Sequence, residues 1–257
     1  MRVIVAGCAG RMGSEVCRLI AEQEDMMLVG GIEVEGHRAV GTKLGAGVVG
    51  SDLSTMIADA TTVVDFSTAE AMVAHCRLAA LAGKGFITGV TGLSVSQAHA
   101  LEDWGQRIPV VYASNFSVGV SVLCTLVAEA ASRLGPDYDV EVIETHHRMK
   151  KDAPSGTAAR LVDIVTAVAG RAKVVHGRQG VVGEKPKYEI GVSSIRTGGV
   201  VGEHTVVFGS AGERIELTHK AESRAALATG VVAAVRFLKG RAAGFYTIED
   251  VLATGRS

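Results

Sequence analysis

Arg2-Val-Ile-Val-Ala-Gly7-Cys-Ala-Gly10-Arg-Met-Gly13 is an apolar run that stops in glycines and passes into a helical pattern carried by Val16, Leu19 and Ile20. A short apolar run of this kind reads as a buried strand. The glycines let backbone approach a pyrophosphate, and the helix start supplies N–H groups and the positive end of a dipole. The spacing is Gly-x-x-Gly-x-x-Gly, which departs from the usual Gly-x-Gly-x-x-Gly fingerprint at Ala9. A second apolar run, Met27-Leu-Val-Gly-Gly-Ile32, ends in Glu33. That is about 20 residues beyond the loop, where an acid accepts hydrogen bonds from an adenosine ribose. Strand, loop, helix, strand and acid in this order predict a dinucleotide site, whereas a tight strand-to-helix turn without a nucleotide explains only part of it.

The α/β alternation continues downstream. Thr62–Phe66 reads as a strand, Ala69–Ala82 as a helix, Phe86–Thr88 as a strand running into Gly89-Val90-Thr91-Gly92, and Ser94–Gly105 as a weaker helix. Pro109–Ala113 is a strand ending at Ser114-Asn115-Phe116-Ser117. Ligands of open parallel sheets bind outside the carboxyl ends of the strands, so residues 7–12, 89–91 and 113–116 are expected to share one crevice. The fold class is therefore α/β, a Rossmann-type doubly wound parallel sheet.

From about Val118 the texture changes. A long helix through Leu134 precedes more widely separated strands at Asp139–Glu144, Tyr188–Arg196, Thr205–Phe208 and Glu213–Lys220, which suggest a second α+β domain built on an open mixed sheet. The solvated face of that sheet is suited to pairing with another subunit. Ala225–Leu238 is again helical, and Phe245–Leu252 reads as a terminal turn and helix.

Function is concentrated in Glu144-Thr-His146-His147-Arg-Met-Lys150-Lys-Asp-Ala-Pro-Ser155-Gly156-Thr157. The run before it alternates at period two, as a half-buried strand does, and the run after it is helical, with hydroxyl residues where an N-terminus wants caps. A helix start binds carboxylate or phosphate, and Arg148, Lys150 and Lys151 lie just upstream. The implied ligand is a small anion. His and Lys are also suited to proton transfer near neutral pH. A solvated basic loop beside a capped helix would account for any one of these residues, but not for all of them together.

Composition sets outer bounds. A chain of 257 residues with 47% apolar and 21% charged residues suits one large or two modest soluble domains. The net charge of −1, with no basic stripe, argues against nucleic acid as a partner. The apolar stretch Val118–Ala128 meets Glu129 well before the roughly 18 residues of a membrane span. The N-terminus reaches Gly7 after too few apolar residues for a signal-peptide core. Cys8, Cys17, Cys76 and Cys124 lack metal-ligand spacing and suit reduced thiols, so no metal is expected.

Taken together, the stretches Gly7–Gly13, Val64–Phe66, Gly89–Gly92, Asn115–Gly119, Glu144–Lys150, Asp152–Thr157, Arg196–His204 and Glu216–Ala221 resemble the 4-hydroxy-tetrahydrodipicolinate reductase (dihydrodipicolinate reductase) family over nearly the whole chain. The resemblance implies reduction of a cyclic imine dicarboxylate by NADH or NADPH in lysine and diaminopimelate synthesis. It also implies a cytoplasmic homotetramer with a dinucleotide domain at 1–117 plus 227–257 and a substrate and oligomerisation domain at 118–226. By motif position it implies His146 as acid/base and Lys150 as second proton donor, with His147, Ser155, Gly156 and Thr157 on a substrate carboxylate. Cofactor contacts would come from Gly7, Cys8, Ala9, Gly10, Arg11, Met12, Glu33, Gly89, Val90, Thr91, Ala113, Ser114, Asn115 and Phe116. Some members carry Arg after the acid to meet the 2′-phosphate of NADPH, whereas this chain has Val34. Other two-domain dehydrogenases, and silent NAD-sensing modules, would have no reason to keep the His146–Thr157 block.

Overall fold

Alternate residues of the first strand face opposite helical layers, and this pattern defines the dinucleotide unit. In the computed structural model, which describes residues 1–169 and 173–253, the chain divides into Met1–Val118 with Leu227–Ser257, and Gly119–Ala226. Residues 254–257, the end of the expected dinucleotide domain, lie outside the described residues.

The first unit contains β1 (Arg2–Ala6), α1 (Arg11–Ala21), β2 (Met27–Ile32), β3 (Lys43–Leu44), β4 (Gly47–Gly50), β5 (Thr62–Asp65), α2 (Ala69–Leu81), β6 (Gly85–Thr88), α3 (Val95–Gly105) and β7 (Pro109–Tyr112). Val3 and Val5 pack with Val16, Cys17 and Ile20 of α1, while Ile4 and Ala6 pack with Met72, Cys76 and Ala79 of α2. Two-sided burial is what a doubly wound sheet requires, and it explains why these strands read as continuous apolar runs. The order from β7 is β7-β6-β5-β1-β2-β4-β3, with every pair parallel except β3 with β4. Strand order reverses between β1 and β5, so the crevice at their carboxyl ends is where such sheets take ligands.

The second unit holds most of α4 (Val118–Leu134), then β8 (Asp139–His146), α5 (Gly156–Ala169), β9 (Lys173–His176), β10 (Glu189–Arg196), β11 (Gly202–Gly209) and β12 (Arg214–Ala221). Its sheet runs β12-β11-β8-β10-β9; β10 is parallel to β8 and β9, and β11 is antiparallel to β8 and β12. Val142, Ile190, Val192, Val206 and Phe208 bury one face under Val120, Leu123, Cys124 and Val127 of α4 and Leu161, Val162 and Val165 of α5. The chain then returns to the first unit through α6 (Thr229–Leu238), β13 (Gly244–Tyr246) and α7 (Ile248–Ala253), with β13 extending the parallel sheet beyond β7.

Four features differ from the sequence reading. The β3–β4 hairpin and β9 are additional strands. The expected helix at 225–238 is a 3-10 turn, Arg224–Leu227, followed by α6. The expected terminal turn begins with β13, because Phe245 and Tyr246 pair with Val110 and Val111. The segment Val118–Asp137 does have the length and mean hydropathy, 1.4, of a membrane span. One acid at Glu129 does not interrupt it, and its packing, with Val120, Leu123, Cys124 and Val127 in the core, is that of a core helix.

Candidate functional site

In the first unit, the carboxyl ends of β1, β2, β5 and β6 lie side by side. Gly7 leaves β1 with φ +71°, and its N–H donates to Ile32 O at 2.8 Å. A Cβ on Gly13 would stand 2.0 Å from Gly7 O, so the loop closes onto α1 only with glycine there. Gly10 is the N-cap of α1. Glu33 is held from the loop side: Ala9 N–H donates to its Oε1 at 2.7 Å. A cleft of about 520 Å³ is lined by Gly7, Ala9, Gly10, Glu33, Val34, Glu35, His37 and His75, among others. A second, of about 300 Å³, shares Phe66, Ser67 and Thr68 with it and adds Arg11, Met12, Gly89, Val90 and Thr91.

These residues fit a nicotinamide dinucleotide: a glycine loop at a helix start, an acid beside it, and a cleft continuing along the strand ends. Neither cleft is lined by Ala113, Ser114, Asn115 or Phe116. Phe116 instead meets Phe66 edge-on, with centroids 6.0 Å apart. Cys8 turns its thiol inward against Gly31, and burial with the nearby Glu33 pushes its pKa up to about 11. It can serve a ligand only through its backbone.

Sequence reasoning missed a pair beneath this cleft. Asp65, fully buried at the end of β5, accepts from Ser67 N and Oγ and lies 2.6 Å from His75 Nδ1 on α2. Its only sequence signal is an acid closing an apolar strand.

In the second unit, β8 delivers Glu144 and His146 to the face that α5 covers, because residues two apart on a strand point the same way. Glu144 is wholly buried. Its Oε2 lies 2.5 Å from His146 Nδ1 and accepts from Arg196 Nη1 at 2.8 Å, and its Oε1 accepts from Arg196 Nη2 at 2.7 Å and from Ser155 N at 3.3 Å. Burial alone would raise the carboxyl, but hydrogen bonds from Arg196, Ser194 and His146 outweigh it and bring the pKa down to about 2. Burial lowers His146 below the ordinary imidazole value; Glu144 opposes that shift, and Lys150 and Arg196 add to it.

Arg196 Nη2 also donates to Asp152 O at 2.7 Å, and Lys150 Nζ lies 2.9 Å from both Asp152 carboxylate oxygens. Ser155 caps α5, its Oγ accepting from Ala158 N at 3.2 Å and lying 3.0 Å from His204 Nε2. The His204 ring stands edge-on to His146 at 5.2 Å, and burial with the neighbouring His146 pushes its pKa down to about 4. A Cβ at Gly156 would meet nothing within 4 Å, so the helix start opens onto space. The His147 ring packs with its Nδ1 buried and without a hydrogen-bond partner.

The structure thus gathers His146, Lys150, Ser155, Gly156 and Thr157 between the end of β8 and the start of α5. It adds Glu144, Arg196 and His204, to which sequence reasoning gave no role. The parity of Glu144 and His146 on one strand was the signal available. Arg196 and His204 lie 50 or more residues away, and only the pairing of β8 with β10 and β11 brings them in. The cluster sets the Glu144–His146 pair beside a helix start that is open at Gly156.

A family profile described as Dihydrodipicolinate reductase, N-terminus, matches residues 1–116, and one described as Dihydrodipicolinate reductase, C-terminus, matches residues 119–252. The 4-hydroxy-tetrahydrodipicolinate reductase of Myxococcus xanthus is 41% identical, covering 100% of this chain and 99% of that protein. The protein of that name from Anaeromyxobacter sp. is 42% identical over 98% of this chain and 97% of its own length. Among solved structures, dipicolinate-bound dihydrodipicolinate reductase from Paenisporosarcina sp. superposes with a TM-score of 0.80 at 23% identity, covering 96% of this chain and 97% of that one.

Proposed function

The chain belongs to the dihydrodipicolinate reductase family, a family of oxidoreductases, and from that premise we propose that it reduces 4-hydroxy-tetrahydrodipicolinate, or its dehydrated form, to tetrahydrodipicolinate in lysine and diaminopimelate biosynthesis. The observation that carries the reading is the joining of His146, Lys150 and the Ser155–Thr157 helix start around one buried carboxylate. The reduced nicotinamide, when bound, supplies a hydride for ring C4 of a conjugated imine dicarboxylate. The residues of this chain then handle one proton and two carboxylates.

His146, with Nδ1 directed at Glu144, has Nε2 left for proton exchange with the enamine that hydride addition creates. Lys150, paired with Asp152, is the second donor. The first turn of α5, open at Gly156, offers its N-terminal dipole to one substrate carboxylate, with His147 assigned to the same carboxylate. The dipicolinate bound by the Paenisporosarcina relative is a planar dicarboxylate of matching chemistry. Gly7–Met12, Glu33 and Gly89–Thr91 would hold the cofactor, with the backbone of 113–116 contributing at the end of β7. The same reading makes the protein a cytoplasmic homotetramer.

On cofactor choice, NADH is expected to serve at least as well as NADPH. Glu33 and Glu35 line the cleft, Val34 is 70% exposed, and no Lys or Arg joins them there. A 2′-phosphate would meet two carboxylates, with Arg11, His37 and Arg38 the only nearby candidates to compensate them. Comparing kcat/KM for the two cofactors tests this; a preference for NADPH above about tenfold, roughly 1.4 kcal/mol in transition-state terms, would overturn it.

The central experiment mixes the protein, NADH and enzymatically generated substrate and follows the nicotinamide absorbance. Stoichiometric consumption, inhibited competitively by pyridine-2,6-dicarboxylate, is expected. No oxidation of either cofactor would defeat the proposal.

A further inference from the structure

We propose that Glu144 is a positioning residue: its carboxylate keeps one His146 proton on Nδ1, so that Nε2 is the nitrogen that takes up a proton from solvent and passes it to the substrate. The same carboxylate fixes that ring relative to the helix start and to the Lys150 loop. The inference rests on the proton-transfer role given to His146 above, but its geometry stands independently of the substrate.

A fully buried carboxylate is retained as an anion only when donors surround it. Glu144 has His146 Nδ1, both terminal nitrogens of Arg196, Ser155 N and the Ser194 hydroxyl. With its oxygens so engaged it can neither give nor take a substrate proton, and its effect passes through the groups it holds. The first is the imidazole, pinned at Nδ1. The second is the N-cap of α5, whose amide it binds directly. The third is reached through Arg196, which also grips Asp152 O, and Asp152 pairs with Lys150. One side chain therefore sets the mutual placement of both proposed proton donors and the proposed carboxylate cradle.

The opposite side of the ring is prepared as well. Gly202 of β11 would place a Cβ only 3.0 Å from His146 Nε2, so glycine there keeps that nitrogen uncrowded. His204 stands against the ring edge.

The charged and titratable groups facing His146 are Glu144 on its own strand, Arg196 from β10, Lys150 with Asp152 from the following loop, and His204 from β11, with His219 of β12 behind it. Arg196 and Lys150 disfavour the imidazolium, and Glu144 is the anion in contact with it. Removing that charge should move the His146 titration downward and release the tautomer. A Glu144–Arg196 pair that merely stapled β8 to β10 would leave the tautomer unaltered.

The test uses the full chain with ¹⁵N-labelled histidine and the variants Glu144→Gln, Glu144→Asp and Glu144→Gln/Arg196→Gln. The double variant leaves no unpaired buried cation and keeps the test open should the single one fold poorly. In the wild type, neutral His146 is expected wholly in the Nδ1–H form. In Glu144→Gln its pKa should fall by about one unit or more, with mixed tautomers. Turnover should fall about 10- to 100-fold, with a smaller rise in KM because the same carboxylate holds the helix start. NADH affinity should match wild type, and Glu144→Asp should recover much of the titration shift. An unchanged tautomer in the Gln variants, or an unchanged His146 pKa in Glu144→Gln, would overturn the proposal. A wild type that does not reduce the substrate would sink the functional reading alone, because the NMR measurement needs no turnover.

Discussion

His146 and Lys150 stand in different electrostatic company, and this bears on what each can do. Burial and the cations Lys150 and Arg196 hold His146 below its ordinary pKa, whereas Lys150 Nζ lies 2.9 Å from the Asp152 carboxylate, its side chain 20% exposed. Replacing either with Ala should lower kcat by about 10²–10⁴, the range for losing a positioned acid, and leave NADH affinity in place. Single-turnover rates and fluorescence titration measure the two, and wild-type turnover in either variant would move the chemistry elsewhere. Gly156 gives a cleaner test of the carboxylate cradle. A new side chain there clashes with nothing, and Val in a helix costs under about 1 kcal/mol. Gly156→Val should therefore fold normally, raise KM sharply and weaken pyridine-2,6-dicarboxylate, with NADH binding untouched. Equal inhibitor affinity in variant and wild type would place the carboxylate somewhere other than this helix start.

Strands β8 and β11 carry ionisable groups whose burial has a measurable consequence for stability. His204 has a folded pKa near 4 against an ordinary 6.5, so its contribution is fully present above 6.5 and is lost as pH falls towards 4. Glu144, depressed from 4.5 to about 2, follows the same sign lower down, losing its contribution as pH falls from 4.5 through 2. Unfolding should thus take up protons on acidification. Each proton makes stability fall by up to about 1.4 kcal/mol per pH unit, and His204→Gln should flatten the slope between pH 6.5 and 4. Urea midpoints across that range decide it, and an unaltered slope would assign the proton elsewhere. At this scale it is also clear why some elements were legible and others were not. Strands β1, β2, β5, β6 and β7 are buried on both faces and so read as apolar runs, and the glycine loop marked the first turn. The hairpin Lys43–Gly50 is short, glycine-rich and half exposed, and β13 is three residues whose strand character comes from its neighbour β7. Cross-strand partners such as Arg196 leave no local trace, which is why the helix start was readable and the carboxylate organising it was not.

For the whole molecule, the uncovered face of the second sheet is the natural place to seek the proposed homotetramer. Ile143, Ile195, Val207, Thr205 and Thr218 lie on it, outside every core cluster. Light scattering should give four copies for the wild type, and Ile143→Lys with Ile195→Lys should reduce that number; a mass unaltered by both charges would locate the interface elsewhere. The division of the first unit has a separate consequence for synthesis. Its core combines Val3, Val5, Val16 and Ile20 with Val231, Val235, Leu238 and Ile248, and roughly a hundred residues of the other unit intervene. At roughly 5–20 residues per second, a ribosome leaves the first sheet with part of one apolar face uncovered for on the order of 5–20 s. The intervening segment emerges with a complete core of its own. The half that emerges first is therefore the last to mature, and the nascent chain depends on shelter for its opening βαβ units until α6 has cleared the exit tunnel.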